Sequence, residues 1–232
     1  MQVTPQDVNG HHDAVDGRTE RWRAHRLERR EQFVDAAVRA VEKHGPAVAV
    51  AQIAAEAGVA KPRLYRHFDD KADLLDAVRD RVSTILWQRL TAALDPDDAP
   101  AHLVRHGLDA FLGVVDDYPN TFRLMADPGA PARRALEDGR RIADVLAGLI
   151  AGQLGALGVD TSGAEPLGHS LLGAVGGATY WWLDHRTITK QELINHLSTV
   201  ILGSLEGITK AAGVTIDLDR PIRAQTIGTV HR

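Results

Sequence analysis

The amino-acid sequence predicts an all-α protein of about nine helices, and three observations lead to that prediction. Apolar residues recur three or four positions apart over most of the chain, which is the spacing of one helix face. Gly-Pro, Asp-Pro and single proline residues separate these segments. Only residues 214–219 alternate between apolar and polar types as a strand does. With 232 residues, 44% of them hydrophobic, the chain can build a core in one long domain or two small ones.

The N-terminal third is predicted to hold one longer helix followed by two short ones. Residues 1–17 are polar and acidic and are predicted to be a disordered tail. A helix is predicted from about Glu20 to His44, where Gly45 and Pro46 end it. The short helices are predicted at about 51–57 and 61–67, with a tight glycine turn between them.

The next helix is long, since no glycine or proline interrupts the sequence from about 71 to 94, and it spans about 36 Å. Asp70 and Asp73 at its start resemble a capping box with a shorter acid. Further helices are predicted at about 101–117, 120–126, 132–157, 165–184 and 191–212. Thr189 and Glu192 have the capping-box pattern at the start of the last one. The strand-like segment has no obvious partner, so residues 214–232 are predicted to be extended or disordered.

Composition excludes several classes of protein. The net charge of -4 excludes a uniformly basic protein that coats nucleic acid. The absence of cysteine excludes disulfide scaffolds, cysteine-ligated metal and thiol nucleophiles. No apolar leader is visible at the N-terminus. The apolar segment 142–159 contains Asp144 and Gln153, so it is predicted to be a buried helix and not a membrane span.

Charge is unevenly distributed along the chain. Residues 18–81 carry fourteen basic and eleven acidic side chains, whereas the remainder carries thirteen basic and twenty acidic ones. The segment RTERWRAHRLERR, residues 18–30, holds six of these arginines. One interpretation is a basic arm that lies against a phosphate backbone. The alternative is a solvated helical extension, with Trp22 and Leu27 packed on the body of the protein.

Three helices followed by a long one, with a glycine between the second and third, is the arrangement of a helix-turn-helix unit. Ala54 is small enough for two helices to cross closely, and Gly58 permits a turn with positive φ. The third helix then presents Lys61, Arg63 and Arg66 to a partner. Arginine is suited to bidentate contacts with guanine, and lysine to phosphates.

Residues 50–75, VAQIAAEAGVAKPRLYRHFDDKADLL, resemble the DNA-binding signature of the tetracycline-repressor (TetR) family. The matching residues stand in the family's order and spacing: Ile53-Ala54, Ala57-Gly58-Val59, Leu64-Tyr65, His67-Phe68, Lys71 and Leu74-Leu75. The specific match extends from Glu31 to about Val82. The resemblance implies a DNA-binding domain over residues 18–72, including the basic arm, and a helical ligand-binding and dimerisation domain over residues 73–213.

The resemblance also implies roles for individual residues. Tyr65 and His67 stand where the family contacts DNA phosphates, and Phe68 stands where it packs a core aromatic residue. Lys71 begins the long helix, where both its charge and the helix N-terminus favour a phosphate. The candidate DNA-binding residues are Lys61, Pro62, Arg63, Tyr65, Arg66, His67 and Lys71.

The chain departs from the family pattern at three places. Ala49 and Ala60 stand where the family often has hydroxyl caps, and each replacement removes about 1 kcal/mol of helix stabilisation. Pro62 and Arg63 stand where small residues and threonine are usual. A proline in the first turn is tolerated because amides there have no intrahelical partner. The resemblance therefore supports the fold and the docking mode but gives no operator sequence.

The C-terminal body is where the resemblance implies a ligand. Candidate lining residues are Trp87, Leu90, His106, Phe111, Phe122, Met125 and Trp181, and their mainly apolar character predicts a small, largely apolar ligand. The alternative is that they simply fill a core. His102 and His106 lie four residues apart, so a metal site is a minor alternative to solvated histidines. No metal or cofactor is predicted.

Residues 171–185 and 193–207 have the pattern of two apolar to amphipathic helices, and Gly173, Gly176 and Gly177 permit another helix to approach closely. By resemblance, these helices would pair with their symmetry mates in a homodimer; the alternative is packing within one chain. Two recognition helices about 34 Å apart can read a palindrome, whereas one reads too few bases.

The sequence therefore predicts a cytoplasmic, dimeric transcriptional repressor that a small apolar ligand releases from an inverted-repeat operator in double-stranded DNA. The alternative is an activator, or a ligand-independent DNA-binding protein whose body serves protein contacts. An enzyme is not expected, because no catalytic triad spacing, phosphate loop or carboxylate pair is present in the sequence.

Overall fold

The described residues of the computed structural model, 12–125, 132–224 and 228–229, form nine α-helices, and the all-α prediction is confirmed. The helices are α1 His12–His44, α2 Val50–Glu56, α3 Lys61–Leu64, α4 Lys71–Ala93, α5 Pro100–Asp117, α6 Pro119–Met125, α7 Ala132–Ala156, α8 Ala164–His185 and α9 Lys190–Ala211. Two two-residue strands, β1 Val214–Thr215 and β2 Gly228–Thr229, pair in antiparallel fashion, and a 3₁₀ turn spans Ile222–Ala224.

Two helix boundaries differ from the sequence prediction. α1 begins eight residues early, so residues 12–17 of the predicted disordered tail are helical, while residues 1–11 lie outside the described range. Extending an existing helix is much easier than nucleating a new one, which favours this early start. α3 ends at Leu64, three residues before the predicted end, because the amides of His67 and Phe68 both donate to the Leu64 carbonyl in a closing turn.

The chain divides into two compact units, residues 1–78 and 79–232, six residues beyond the predicted boundary. The first unit contains α1, α2, α3 and the start of α4. Its core is formed by buried residues on the inner faces of these helices: Phe33, Ala37, Ala40, Val41, Ile53, Leu64, Phe68, Leu74 and Val78. The predicted apolar face of α1 is thus the core face.

In the second unit, α7 packs against α8 and α5 packs against α9. Gly168 permits the first of these contacts, because a Cβ there would lie 2.7 Å from the Ala143 carbonyl oxygen. At Gly173, Gly176 and Gly177, where the sequence permits another helix to approach closely, a Cβ meets nothing within 4 Å in the same chain. Within this chain they are not contact glycines.

Residues 214–224 pack on the helices of the second unit, so the structure supplies a partner that was not obvious in the sequence. Val214 and Ile222 are buried together with Leu157. The Leu218 carbonyl accepts a 2.9 Å hydrogen bond from the Ala101 amide. The apolar residues of the alternating pattern therefore find their partners on the helical body, where burial stabilises them.

Candidate nucleic-acid interface

The turn between α2 and α3 has the geometry of a helix-turn-helix unit. Gly58 has φ +65°, as predicted, and its amide donates to the Ala55 carbonyl at 3.1 Å. The next amide, of Val59, donates to the Ala54 carbonyl at 3.0 Å. Ala54 and Leu64, one from each helix, are buried. The turn is thus closed by backbone hydrogen bonds and held from beneath by apolar contacts.

Side chains of α1 hold the end of α2 through ion pairs. Arg39 Nε lies 3.1 Å from Glu56 Oε1, and Lys43 Nζ lies 3.7 Å from Glu56 Oε2. The hydrogen bond from Arg39 and the two positive charges lower the pKa of Glu56. At the start of α2, Ala49 supplies no side-chain cap, but Gln52 Oε1 accepts a hydrogen bond from the Ala49 amide at 2.7 Å. Half of a capping box therefore remains without the hydroxyl.

The start of α4 is capped by its own acidic residues. The Asp73 amide donates to Asp70 Oδ1 at 2.9 Å, as the predicted capping box requires. The carboxylate of Asp73 reaches back to the Asp69 amide, at 3.0 Å, and not to that of Asp70. Arg30 of α1 adds to this junction, with Nη2 3.4 Å from Asp73 Oδ1 and its guanidinium 4.6 Å from the centre of the Phe68 ring. Arg30 is therefore held within the unit.

The predicted DNA-binding residues lie on and after α3. Lys61, Pro62, Arg63 and Arg66 are exposed, and Tyr65 is 46% exposed. Leu64, which lies between them, and Phe68, which follows them, point the other way, since both are buried. An exposed row of cationic and aromatic side chains thus stands on an apolar base. Lys71, at the start of α4, is half-buried.

His67, like Lys71, is half-buried. Its ring meets the Phe33 ring edge-on, with 5.1 Å between centres, and its Nδ1 is buried with no hydrogen-bond partner among the described residues. Burial, and then the positive charges of Arg26, Arg29, Arg63 and Arg30, lowers its pKa. His67 is consequently near several guanidinium groups, of which that of Arg30 is already paired with Asp73.

The second unit contains an apolar cavity of about 250 Å³, which lies among α4, α5, α7, α8 and α9. Trp87, Leu90 and Phe111, three of the predicted ligand residues, line it. The residues that the sequence prediction missed come mainly from α7 and α8: Ile142, Val145, Leu146, Leu149, Ile150, Leu167, Leu171, Leu172 and Val175. Gln153 is one of the few polar side chains in the wall, and it donates to the Pro96 carbonyl at 3.1 Å.

The other four predicted ligand residues do not line this cavity. Phe122 lies behind it, with its ring 5.8 Å from that of Phe111. Met125 ends α6 and is half-buried. His106 lies on the exposed face of α5, where it faces Asp98, and Trp181 is 44% exposed on α8. In each of these two cases the side chain shares its helix face with exposed residues three or four positions away, at 102 and 109 for His106 and at 177, 184 and 185 for Trp181.

Comparisons with known proteins show what this architecture is similar to. Residues 33–78 match the family model described as bacterial regulatory proteins, tetR family, and residues 89–215 match a tetracyclin repressor-like C-terminal domain. An uncharacterised helix-turn-helix transcriptional regulator of Mycobacterium tuberculosis strain H37Rv is 36% identical over 202 residues, which is 86% of each chain. The chain belongs to the TetR family.

Solved structures agree with the TetR fold. A TetR-like transcriptional regulator of Rhodococcus sp. RHA1 covers 77% of this chain and 96% of its own, with a TM-score of 0.59 at 23% identity. A TetR-family regulator of Streptomyces coelicolor covers 78% and 84%, with a TM-score of 0.63 at 20% identity. A further relative is found by sequence: the nucleoid occlusion factor SlmA of Shewanella woodyi is 28% identical over 101 residues, which is 43% of this chain and 51% of its own.

Membership of the TetR family makes this chain a DNA-binding transcriptional regulator and not an enzyme. Within the described residues, no three His, Asp or Glu side chains are grouped as a metal site would need. His102 instead lies 3.1 Å from Asp98, whose pKa is lowered chiefly by a hydrogen bond from the Ala99 amide. No helix in the described ranges is long and apolar enough to cross a membrane.

Proposed function

We propose that this TetR-family regulator is a dimeric repressor that binds an inverted-repeat operator and that a small, largely apolar ligand releases. The exposed row on α3, supported by buried Leu64 and Phe68, is the observation that carries the DNA-binding part. In this proposal α3 enters the major groove, with Arg63 on a base edge and Lys61 and Tyr65 on the backbone. Because DNA is the partner, we infer a cytoplasmic location.

The remaining candidate residues are proposed to support or to contact the DNA backbone in the same complex. Pro62 fixes the first turn of α3 beside Arg63. Arg66 and His67 follow the helix and face the phosphates, and Lys71 binds a phosphate at the start of α4, a 23-residue helix. Phosphate contacts position the protein, whereas the base contact gives sequence preference.

Dimerisation is proposed through α8 and α9. In the described structure both helices leave a row of residues exposed, at Gly173, Gly177 and Trp181 on α8 and at Thr199, Val200 and Gly203 on α9. Small residues in these rows permit two copies to approach closely, and a twofold axis would then bury each row against its symmetry mate. The same axis would present two α3 helices to successive major grooves.

The ligand is proposed to occupy the apolar cavity of about 250 Å³, whose wall is almost entirely apolar. Trp87 and Leu90 of α4 line the cavity, and the same helix begins at Lys71. A ligand that binds better to the conformation that does not fit DNA would shift the population away from the operator-bound form. The ligand therefore acts through α4 in this proposal.

The test compares Arg63→Ala with Lys71→Ala on an operator that is selected from a random duplex pool. Arg63→Ala should lose about 1–3 kcal/mol of discrimination at one base position per half-site. Lys71→Ala should weaken binding to all sequences and lower the salt slope by about one per subunit. Fluorescence anisotropy against salt measures both quantities. Arg105→Ala, an exposed arginine on α5, is the control.

Equal weakening of operator and random DNA by Arg63→Ala would contradict its assignment to a base. No binding of any duplex by the wild-type protein would contradict the proposed function itself.

A further inference from the structure

The N-terminal half of α1 carries a row of side chains on the same face as the domain core. Trp22, Arg26, Arg29 and Arg30 precede Phe33 at helical spacing. At 100° per residue these five positions fall within an arc of about 100°. Phe33 marks the direction of that arc because it is buried in the core of the first unit.

Contacts of this row lead directly to the recognition residues. Phe33 meets His67 ring to ring at 5.1 Å, and Arg30 lies over Phe68. The positive charges of Arg26 and Arg29 act on His67 together with that of Arg63. The guanidinium groups of α1 and those of α3 are therefore near the same imidazole.

The outer part of the row, in which Trp22 and Arg26 are exposed and Arg29 is half-buried, has no carboxylate partner within the described structure. Arg26 is exposed, and Arg29 makes a 3.3 Å contact to the Gln32 amide oxygen but has no carboxylate partner among the described residues. Trp22 is 75% exposed and Leu27 is 63% exposed, so neither packs on the body as one interpretation of the sequence required. Like charges three and four residues apart destabilise a free helix, so an anion would relieve this arrangement.

We propose that Trp22, Arg26 and Arg29 form a second contact with the backbone of duplex DNA, continuous with His67 and Arg63. This inference rests on the proposed function, since it assumes that α3 docks on DNA. Trp22 and Arg29 are about 10 Å apart along the axis of α1, which equals the axial rise of about three base pairs of duplex DNA. Arg30 is not part of the surface, because Asp73 and Phe68 hold it.

The experiment measures the salt slope of binding to a 30-base-pair duplex of random sequence, so no operator is needed. The variant Arg26→Gln/Arg29→Gln should lower the slope by about 1.8 per subunit. Raising the salt from 50 to 200 mM weakens binding of both proteins. The factor by which binding weakens should be about twelve times smaller per subunit for this variant than for the wild type. Arg26→Lys/Arg29→Lys keeps the charges and should keep the slope. The melting temperature and the helical circular dichroism of both variants check that they are folded.

The control Arg21→Gln/Arg105→Gln removes the same charge from elsewhere. Arg21 lies about 140° around α1 from Arg26, and Arg105 lies on α5. If this control lowers the slope as much as the test variant, or if the test variant leaves the slope unchanged, the inference is overturned while DNA binding by α3 stands. Failure of the wild type to bind the duplex overturns the proposed function as well.

The fluorescence of Trp22 shows whether this surface contacts DNA directly or attracts it at a distance. Bound DNA should shield its indole from acrylamide quenching, and Trp22→Phe should remove that shielding from the total fluorescence. The other three tryptophans, Trp87, Trp181 and Trp182, lie in the second unit and give the background. A lowered salt slope with no shielding of Trp22 would mean that the arginines act at a distance, and it would overturn the assignment of this surface.

Discussion

His67 links the proposed DNA contact to pH. In the free protein, burial and four nearby arginines lower its pKa, so the neutral imidazole is favoured. A bound phosphate favours the charged form and raises the pKa. Binding should therefore take up a proton, and DNA affinity should rise as pH falls through the window between the two pKa values, by up to tenfold per pH unit per subunit.

Anisotropy titrations between pH 8 and pH 5.5 at constant ionic strength measure this effect. His67→Gln should flatten the pH profile, whereas His44→Gln, an exposed histidine at the end of α1, should leave it unchanged. A profile that is equally steep in His67→Gln would show that another group takes up the proton.

The sequence predicted the exposure of some side chains but not the contacts of others. The exposure of Lys61 and Arg63 follows from the short helix and its single buried face, which is a local pattern. The position of Arg30 does not follow from a local pattern, because its partner Asp73 is 43 residues away in the chain. A run of arginines looks uniform in sequence, but only the folded unit separates the one that is held from those that are exposed.

At the scale of single elements, caps and turns were predictable where they depend on neighbours in the chain. Thr189 and Glu192 form the predicted capping box, with the Thr189 amide donating to Glu192 Oε2 at 2.7 Å and the Glu192 amide donating to Thr189 Oγ1 at 3.2 Å. Gly58 adopts the predicted positive φ. Helix crossings were not predictable, because glycines in a helix are equivalent until a second helix approaches one of them.

Gly168 and Gly152 test this distinction. Both are interior helix positions, where replacing glycine by alanine stabilises by up to about 1 kcal/mol through propensity. A Cβ at Gly152 meets nothing within 4 Å, so Gly152→Ala should raise the free energy of unfolding by about that amount. A Cβ at Gly168 would lie 2.7 Å and 2.9 Å from backbone atoms of Ala143 and Ala147, so Gly168→Ala should lower it by about 1–3 kcal/mol.

Urea unfolding at one fixed protein concentration compares the two variants, since any dimerisation makes apparent stability depend on concentration. If Gly168→Ala is as stable as Gly152→Ala, then α7 and α8 do not approach as closely as described.

At the scale of the whole molecule, the number and order of helices followed from periodicity, but the cavity did not. The segment 142–159 was predicted to be a buried helix, and its apolar face does line the cavity. Which residues share that cavity depends on how five helices come together, so Trp87 and Phe111 were found while His106 and Trp181 were misplaced. An aromatic residue in a helix has no local signal for a cavity as opposed to an outer face.

The proposed dimer predicts that a charge at the centre of the exposed row on α9 separates the two copies. Val200 is 54% exposed on α9, and Val200→Lys should produce a monomer, because a lysine buried against its symmetry mate would face a like charge in an apolar contact. Ala92→Lys, which places the same charge at an exposed alanine on α4, is the control and should remain dimeric. Native mass spectrometry of each purified variant gives the assembly state and also reveals any bound small molecule.

The same pair of variants connects assembly to operator binding. A dimer gains affinity on an inverted repeat because the second recognition helix binds at a high effective concentration once the first is bound. Val200→Lys should therefore bind a single half-site as well as the wild type does but lose at least tenfold on the full repeat. If Val200→Lys remains dimeric and keeps full-repeat affinity, α9 is not the dimer contact, and the two α3 helices must be related through another surface.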